Sequence, residues 1–388
     1  MTRKTLGCLL AGSLLAWGCE KKLMIGVVVP ETGEAAVYGA SIKTGVKLAF
    51  DEAKGARKLP PGLVVEYRDS GSDPAKAASL AEALYKDGAL AIIGGVTTAE
   101  AQAMIPVADK RERVLISPSA SAPQLARMSV YFFRVYPSDD LEGGKAASLI
   151  TSTLAKRKVI VVQEDNPYTR GLLPVFLGQL ASAGGRVLVT VTLGEPGWEQ
   201  KLRDGLAAYQ PEAVYVCGYG EAILKAVSVI RGAGFTGPIV TTSAINTATL
   251  LQKGGKLLEG IYFPLAGVDL ASTQEPTQTF VKRYHEVYNL LPDTYAAHGY
   301  DAALALLYAM EGQPPRSGRD LQLRLKGLGD KRGVTGPLAF DDYGNIKHFP
   351  HSYWVHDGKA EDYDRYLEQR ETELRRKLEE LTTGAGGH

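Results

Sequence analysis

Residues 24–55 read MIGVVVPETGEAAVYGASIKTGVKLAFDEAKG. Met24 to Val29 is an unbroken apolar run, the pattern of a buried strand. After a polar joint, Ile42, Val46, Ala49 and Phe50 recur at helical spacing. A buried strand followed at once by an amphipathic helix is the opening of a β–α–β unit, which predicts a parallel sheet. The joint itself, PETGEAAVYG, lacks the G-x-G-x-x-G spacing that seats a dinucleotide.

The same alternation extends outward. Strand-like LVVEYRDS, ALAIIGG and RVLISPS flank the helical stretches DPAKAASLAEALYKDG and AEAQAMIPVADKRE. In the former helix Asp73 is the N-cap, Pro74 takes the first position and Gly88 closes the end. After a polar joint the pattern restarts. KVIVVQED, RVLVTVTL, AVYVCGY and PIVTTS read as strands, with TRGLLPVFLGQLASAGG, EQKLRDGLAAYQ and EAILKAVSVIRGAG as the helices between them. Two such runs predict an α/β protein of two Rossmann-like lobes, each a parallel sheet with helices on both faces. Any ligand should meet the carboxyl ends of the strands. Past about Gly260 the pattern turns helical, in PTQTFVKRYHEVYN and AAHGYDAALALLYAME. Residues 361–381 form a charged helix with a thin apolar seam of Tyr363, Leu367, Leu374, Leu378 and Leu381, interrupted by Arg370. That seam is expected to dock on its own domain, a partner helix being the alternative. The ending TTGAGGH reads as disordered.

Length and composition agree with two domains: 388 residues, 45% hydrophobic and 22% charged. A net charge of +1 gives no electrostatic case for nucleic acid or an anionic membrane surface. Arg3, Lys4 and the apolar segment from Leu6 to Trp17 read as an export signal occupying residues 1–19. Cys19 after Gly18 is placed as in a lipoprotein signal, where it becomes the lipidated first residue and the only link to a membrane. An ordinary cleaved signal is the alternative, since bulky Trp17 sits where that signal carries a small residue. With Cys8 removed and Cys19 lipidated, Cys217 alone remains, so no intramolecular disulfide is expected. Cys217 ends an apolar run and reads as a small core residue. Walker A, G-x-S-x-G and H-E-x-x-H sequences are absent, and the histidines show no paired metal-ligand spacing, HFPHS coming closest. The sequence therefore leans away from catalysis, and no cofactor or metal is expected.

What remains are two strand ends built for hydrogen bonding. After LAIIGG, Thr97 and Glu100 form a capping box; after LISPS, Ser121 and Gln124 form a second. Capping explains each alone. Together they place two helix starts, with their free N–H groups, beside small residues (Gly94, Gly95, Ser119, Ala120) on successive strand ends. That is a shelf for a carboxylate without a positive side chain.

The order of motifs resembles the periplasmic leucine/isoleucine/valine-binding proteins of ABC transporters, within the type I periplasmic-binding fold. The stretches that carry the resemblance are IGVVVPETGEAAVYGASIKTGVKLAFDEA, RDSGSDPAKAASLAEAL, AIIGG, LISPSASAPQL, FFRVYPSDDLEGG, NPYTRG, YAAHGYDAA and GVTGPLAFDDYGN, spanning about residues 24–356. The resemblance implies two lobes, residues 23–139 with 267–343 and residues 140–266 with 344–358, joined by three crossover strands and closing as a hinged clamp. Residues 359–388, the charged helix and tail, fall outside it. It further implies that Thr98 and Ser121, with Thr97 and Ala120 beside them, bind a ligand carboxylate. The Ser119 carbonyl and the Ser121 hydroxyl would take an ammonium, and Tyr38, Tyr168, Tyr219 and Tyr295 would wall the ligand. The expected partners are a small molecule and the membrane subunits of an ABC permease, the chain itself being a monomer. The sequence departs from the pattern at Ser243, where amino-acid binders of the family carry an acid that pairs with the ligand's ammonium. Either another acid substitutes, with Glu164 first and Glu221 next, or the ligand is an amide, urea or carboxylate. A sensory module reporting to a receptor is one rival reading; an exported enzyme on the same two-lobed scaffold is the other, although the sequence shows no residue set to perform a reaction.

Overall fold

The computed structural model describes residues 23–384. The export signal with Cys8 and Cys19, and the last four residues, lie outside the described residues. Strands β1 (Met24–Val29), β2 (Val64–Asp69), β3 (Ala91–Gly94), β4 (Val114–Ser117) and β5 (Phe132–Arg134) form one sheet in the order β2-β1-β3-β4-β5, every pair parallel. A second sheet holds β6 (Lys158–Gln163), β7 (Arg186–Thr192), β8 (Ala213–Cys217), β9 (Ile239–Thr241), β10 (Ile261–Leu265), β11 (His351–His356) and β12 (Lys359–Asp362). Its order is β12-β11-β10-β9-β8-β6-β7. The central strands are buried on both faces: Val27, Ile93, Ile116, Val161 and Val216 have no exposed surface. That is why they read as unbroken apolar runs rather than as alternation. Cys217 is a free, buried thiol at the end of β8.

In each sheet the connections diverge at one strand, β1 between β2 and β3, and β6 between β7 and β8. The carboxyl ends beside those points leave a crevice. The chain passes between the sheets three times. It leaves β5 for the helix Asp139–Ser148, which leads toward β6; it leaves β10 for the helices Thr277–Tyr288, Thr294–Ala309 and Gly318–Lys326; and it returns to β11. The two-lobed α/β architecture read from the sequence is thus present. The edge of the second sheet differs, because β10–β11 and β11–β12 are antiparallel. Asp357 and Gly358, both with positive φ, make the tight turn that folds β12 back on β11.

Helix Thr294–Ala309 returns to the first lobe and packs on helix Ala36–Gly55. Glycines permit this approach: a Cβ on Gly45 would lie 1.9 Å from the Ala296 carbonyl oxygen, and one on Gly299 2.5 Å from that of Ile42. The close crossing sets the rings of Tyr38 and Tyr295 4.7 Å apart.

The C-terminal helix, Tyr363–Gly384, docks only by its first turns. Tyr363 and Tyr366 pack on Trp354, and Lys145 pairs with Asp364 at 2.6 Å. Farther along, Leu374 and Leu381 are 58% and 72% exposed, so the seam expected to dock as a whole projects from the body instead. The helix continues to Gly384, into residues read from sequence as disordered. Dense i,i+4 ion pairs, such as Glu371–Arg375 and Glu373–Lys377, support it where packing does not.

Candidate functional site

The first wall of the crevice comes from the ends of β3 and β4. Thr97 caps helix Thr98–Arg111: its hydroxyl oxygen accepts the Glu100 N–H at 3.2 Å, and the Glu100 carboxylate accepts the Thr97 N–H at 3.2 Å. Thr97 is therefore committed to the cap. Thr98, at the first helical position, is the residue that faces the crevice. The Ser117 hydroxyl donates to the Gly95 carbonyl at 2.8 Å and the Ser119 hydroxyl to that of Val96 at 2.7 Å. These bonds stitch the two strand-end loops into one ledge.

The second capping box does not form. Pro123–Leu125 is a single 3₁₀ turn whose cap position, Ala122, makes no side-chain bond. The carbonyls that a helix would need are already taken. Ser121 O accepts the Asp139 N–H at 2.9 Å and an Arg134 N–H at 2.6 Å, and Ala122 O accepts from Arg134 at 3.0 Å. Gln124 instead reaches across the crevice, its amide donating to the Pro167 carbonyl at 3.1 Å. Ser121 still lines the space; Ala120 is buried beneath it.

The second wall comes from the other sheet, through Tyr219 after β8, Ser243 and Ala244 after β9, and Tyr168 on the helix Pro167–Ser182. Tyr38 closes the gap from the first lobe. Its hydroxyl donates to the Ala244 carbonyl at 2.9 Å and accepts the Gly220 N–H at 2.8 Å, so one side chain ties both lobes. Tyr168 stacks on Tyr219 with centroids 5.1 Å apart. The walls, completed by Val96, Tyr136 and Tyr295, leave a cavity of only about 20 Å³. That room suits one water-sized group.

Of the acids proposed from sequence, neither reaches this cavity. Glu164 is half-buried and accepts the Tyr219 N–H at 2.8 Å, facing an outer space of about 420 Å³ that it shares with Glu34 and Glu221. Glu221 is paired with Lys253 at 2.6 Å. The acid behind the cavity is Glu142, on helix Asp139–Ser148. It accepts the Ser243 N–H at 2.9 Å, the Ser243 O–H at 2.8 Å and the Tyr168 O–H at 3.4 Å. Burial raises its pKa to about 6, against the pull of those donors.

Asp139, one turn earlier, is also fully buried, and desolvation with the neighbouring Glu142 charge pushes its pKa well above the usual carboxylate range. The Ser121 hydroxyl and Arg134 oppose that rise, yet its oxygens make no well-formed hydrogen bond among the described residues. Arg134 is buried as well and is bonded to Asn345 at 2.7 Å. Sequence reasoning missed Arg134, Tyr136, Asp139 and Glu142. A signal existed: Asp139 and Glu142 are three apart, which sets both carboxylates on one helix face. His351 does lie beside Asp362 and Asp364, but Asp364 is held by Lys145 and the Ser352 N–H.

Residues 22–362 match the model of a family described as periplasmic binding protein. A Leu/Ile/Val-binding protein homolog of Brucella melitensis is 26% identical over 358 residues, covering 89% of this chain and 94% of its own. The branched-chain amino acid transporter substrate binding protein of Streptococcus pneumoniae, solved with isoleucine, superposes with a TM-score of 0.80 at 26% identity, over 88% of this chain and 98% of that one. An R. palustris solute binding protein solved with benzoate shares the fold, with a TM-score of 0.77 at 21% identity over 88% of this chain and 95% of its own. Among the described residues no helix is long and apolar enough to cross a membrane.

Proposed function

The chain belongs to the periplasmic binding protein family, and from that premise we propose that it captures a small aliphatic amino acid between its lobes and delivers it to an ABC permease. The observation that carries this reading is the convergence of two strand-end walls, one from each sheet, on a tyrosine-lined cavity bridged by Tyr38. Thr98 at a helix N-terminus, with Ser121, offers hydroxyl and N–H donors to a carboxylate. The tyrosines offer apolar area with a polar tip, which suits a small amphipathic ligand. Residues 23–139 with 267–343 would move against residues 140–266 with 344–358, the ligand favouring closure because it touches both. Cys19 as a lipid anchor would hold the protein at the membrane that carries the permease.

A second reading is a ligand without an ammonium, such as an aromatic carboxylate. The fold shared with the benzoate-bound protein favours it. A thermal-shift series over amino acids, amides and carboxylates separates the two. Replacing Thr98 and Ser121 together by Ala should abolish ligand-induced stabilisation while leaving the unliganded melting temperature near that of the parent. Undiminished stabilisation in the double variant would sink the site.

A further inference from the structure

Ser243 lines the cavity, and both of its hydrogen-bond donors point away from it. The N–H and O–H go to the two oxygens of Glu142, at 2.9 and 2.8 Å. A serine hydroxyl whose proton is engaged in a hydrogen bond to a carboxylate presents only lone pairs on its other side. The Tyr168 hydroxyl, also on the cavity wall, is oriented the same way by the same acid. Ser243 and Tyr168 thus turn acceptor oxygens toward the cavity, with the Glu142 carboxylate one hydrogen bond behind them. The first wall is the opposite, a helix N-terminus with the Thr98 hydroxyl and no charge. Across so narrow a space the two fields add rather than screen.

We propose that Ser243 and Glu142 form a relay that makes the cavity selective for a zwitterion: Ser243 accepts the ligand's ammonium directly, and Glu142 supplies its countercharge through the serine. The inference rests on the amino-acid reading above and names what that reading leaves open. Glu142 is a positioning residue in this arrangement, since it touches the ligand only through Ser243. The relay also accounts for the burial of an acid that makes no ion pair within hydrogen-bond reach among the described residues.

The test is isothermal titration of the full chain with L-leucine and with 4-methylpentanoate, the same molecule without its amino group. Glu142→Gln should weaken leucine at least about 30-fold, the scale for unpairing a buried charge, while 4-methylpentanoate binds more tightly once a negative charge is removed. A merely structural role for Glu142 would weaken both, and that result, or no change in either, overturns the relay. Glu142→Asp, which keeps the charge, should recover part of the leucine affinity and none of the gain for 4-methylpentanoate. If Glu142→Gln does not fold, Ser243→Ala carries the same contrast, with leucine losing and 4-methylpentanoate not. Parent protein that binds 4-methylpentanoate but not leucine overturns the relay and leaves the carboxylate shelf standing. Parent protein that binds neither overturns the amino-acid reading and the relay with it.

Discussion

The two walls of the cavity are built from unlike materials. The first, from β3 and β4, is local: Thr97, Thr98, Ser119 and Ser121 lie within a few residues of the strands that position them, and none is charged. The second depends on a contact across 101 residues, between Ser243 and Glu142, and its charge is hidden behind the surface. A local wall can be read from a motif. A composed wall exists only when the first crossover helix is laid against the end of β9.

The comparison can be broken most severely at Arg134, which stands behind the first wall and beside Asp139, one turn from Glu142. Its guanidinium holds the Ser121 and Ala122 carbonyls and Asn345, and it lies near enough to Asp139 to lower that acid's pKa. Arg134→Ala leaves three buried acceptors without their donor and should cost at least about 3 kcal/mol at about 1–3 kcal/mol for each unsatisfied group, visible as a drop in the urea midpoint.

A second probe acts on one wall alone, through pH. Glu142 must be ionised to serve an ammonium, so leucine affinity should fall up to about tenfold per unit below pH 6, with 4-methylpentanoate showing no such loss from this group. Stability should run the other way. Because folding raises the Glu142 pKa to about 6, its protonated form favours the fold, and that contribution is lost as pH rises from the unfolded value through 6. The groups facing it include Asp139, whose pKa burial and the Glu142 charge push well above the usual carboxylate range, and Tyr136, Tyr168, Tyr215, Tyr295 and Cys217, which burial holds above their ordinary range. His298, pushed down to about 3 by burial, gives an opposing slope. The difference in unfolding free energy between the parent and Glu142→Gln removes it. A difference that does not vary between pH 4.5 and 6.5 would refute this assignment.

Tyr38→Phe tests what joins the walls. It deletes two hydrogen bonds that exist only when the lobes meet, and should shift the protein toward an open form by about 1–2 kcal/mol. Small-angle scattering should show the larger radius, and titration a roughly tenfold weaker ligand. The smallest effect belongs to Thr97→Ala, about 1 kcal/mol of stability from a lost cap, with ligand selectivity unaltered. A change in the leucine to 4-methylpentanoate ratio would mean that Thr97 is more than a cap.

Several parts of this protein were decided locally and could be read as sequence. Unbroken apolar runs marked the buried strands, because a strand covered on both faces has no polar side to show. Asp73 and Pro74 marked a helix start, and Thr97 with Glu100 another, since a cap involves neighbours in the chain. The antiparallel edge of β11 and β12 was signalled only by Asp357-Gly358, two residues in a stretch otherwise unlike a strand pair. Ser121 and Gln124 fit a capping box as a pattern, yet the Ser121 and Ala122 carbonyls are claimed by Arg134 and Asp139 from other elements. Ser243 stood out as a missing charge while Glu142 looked like one more acid at a helix start. Hydrogen-bond geometry within a turn is fixed by the covalent chain, whereas a buried charge is placed by packing, and only the tertiary structure brings its partner to 2.8 Å.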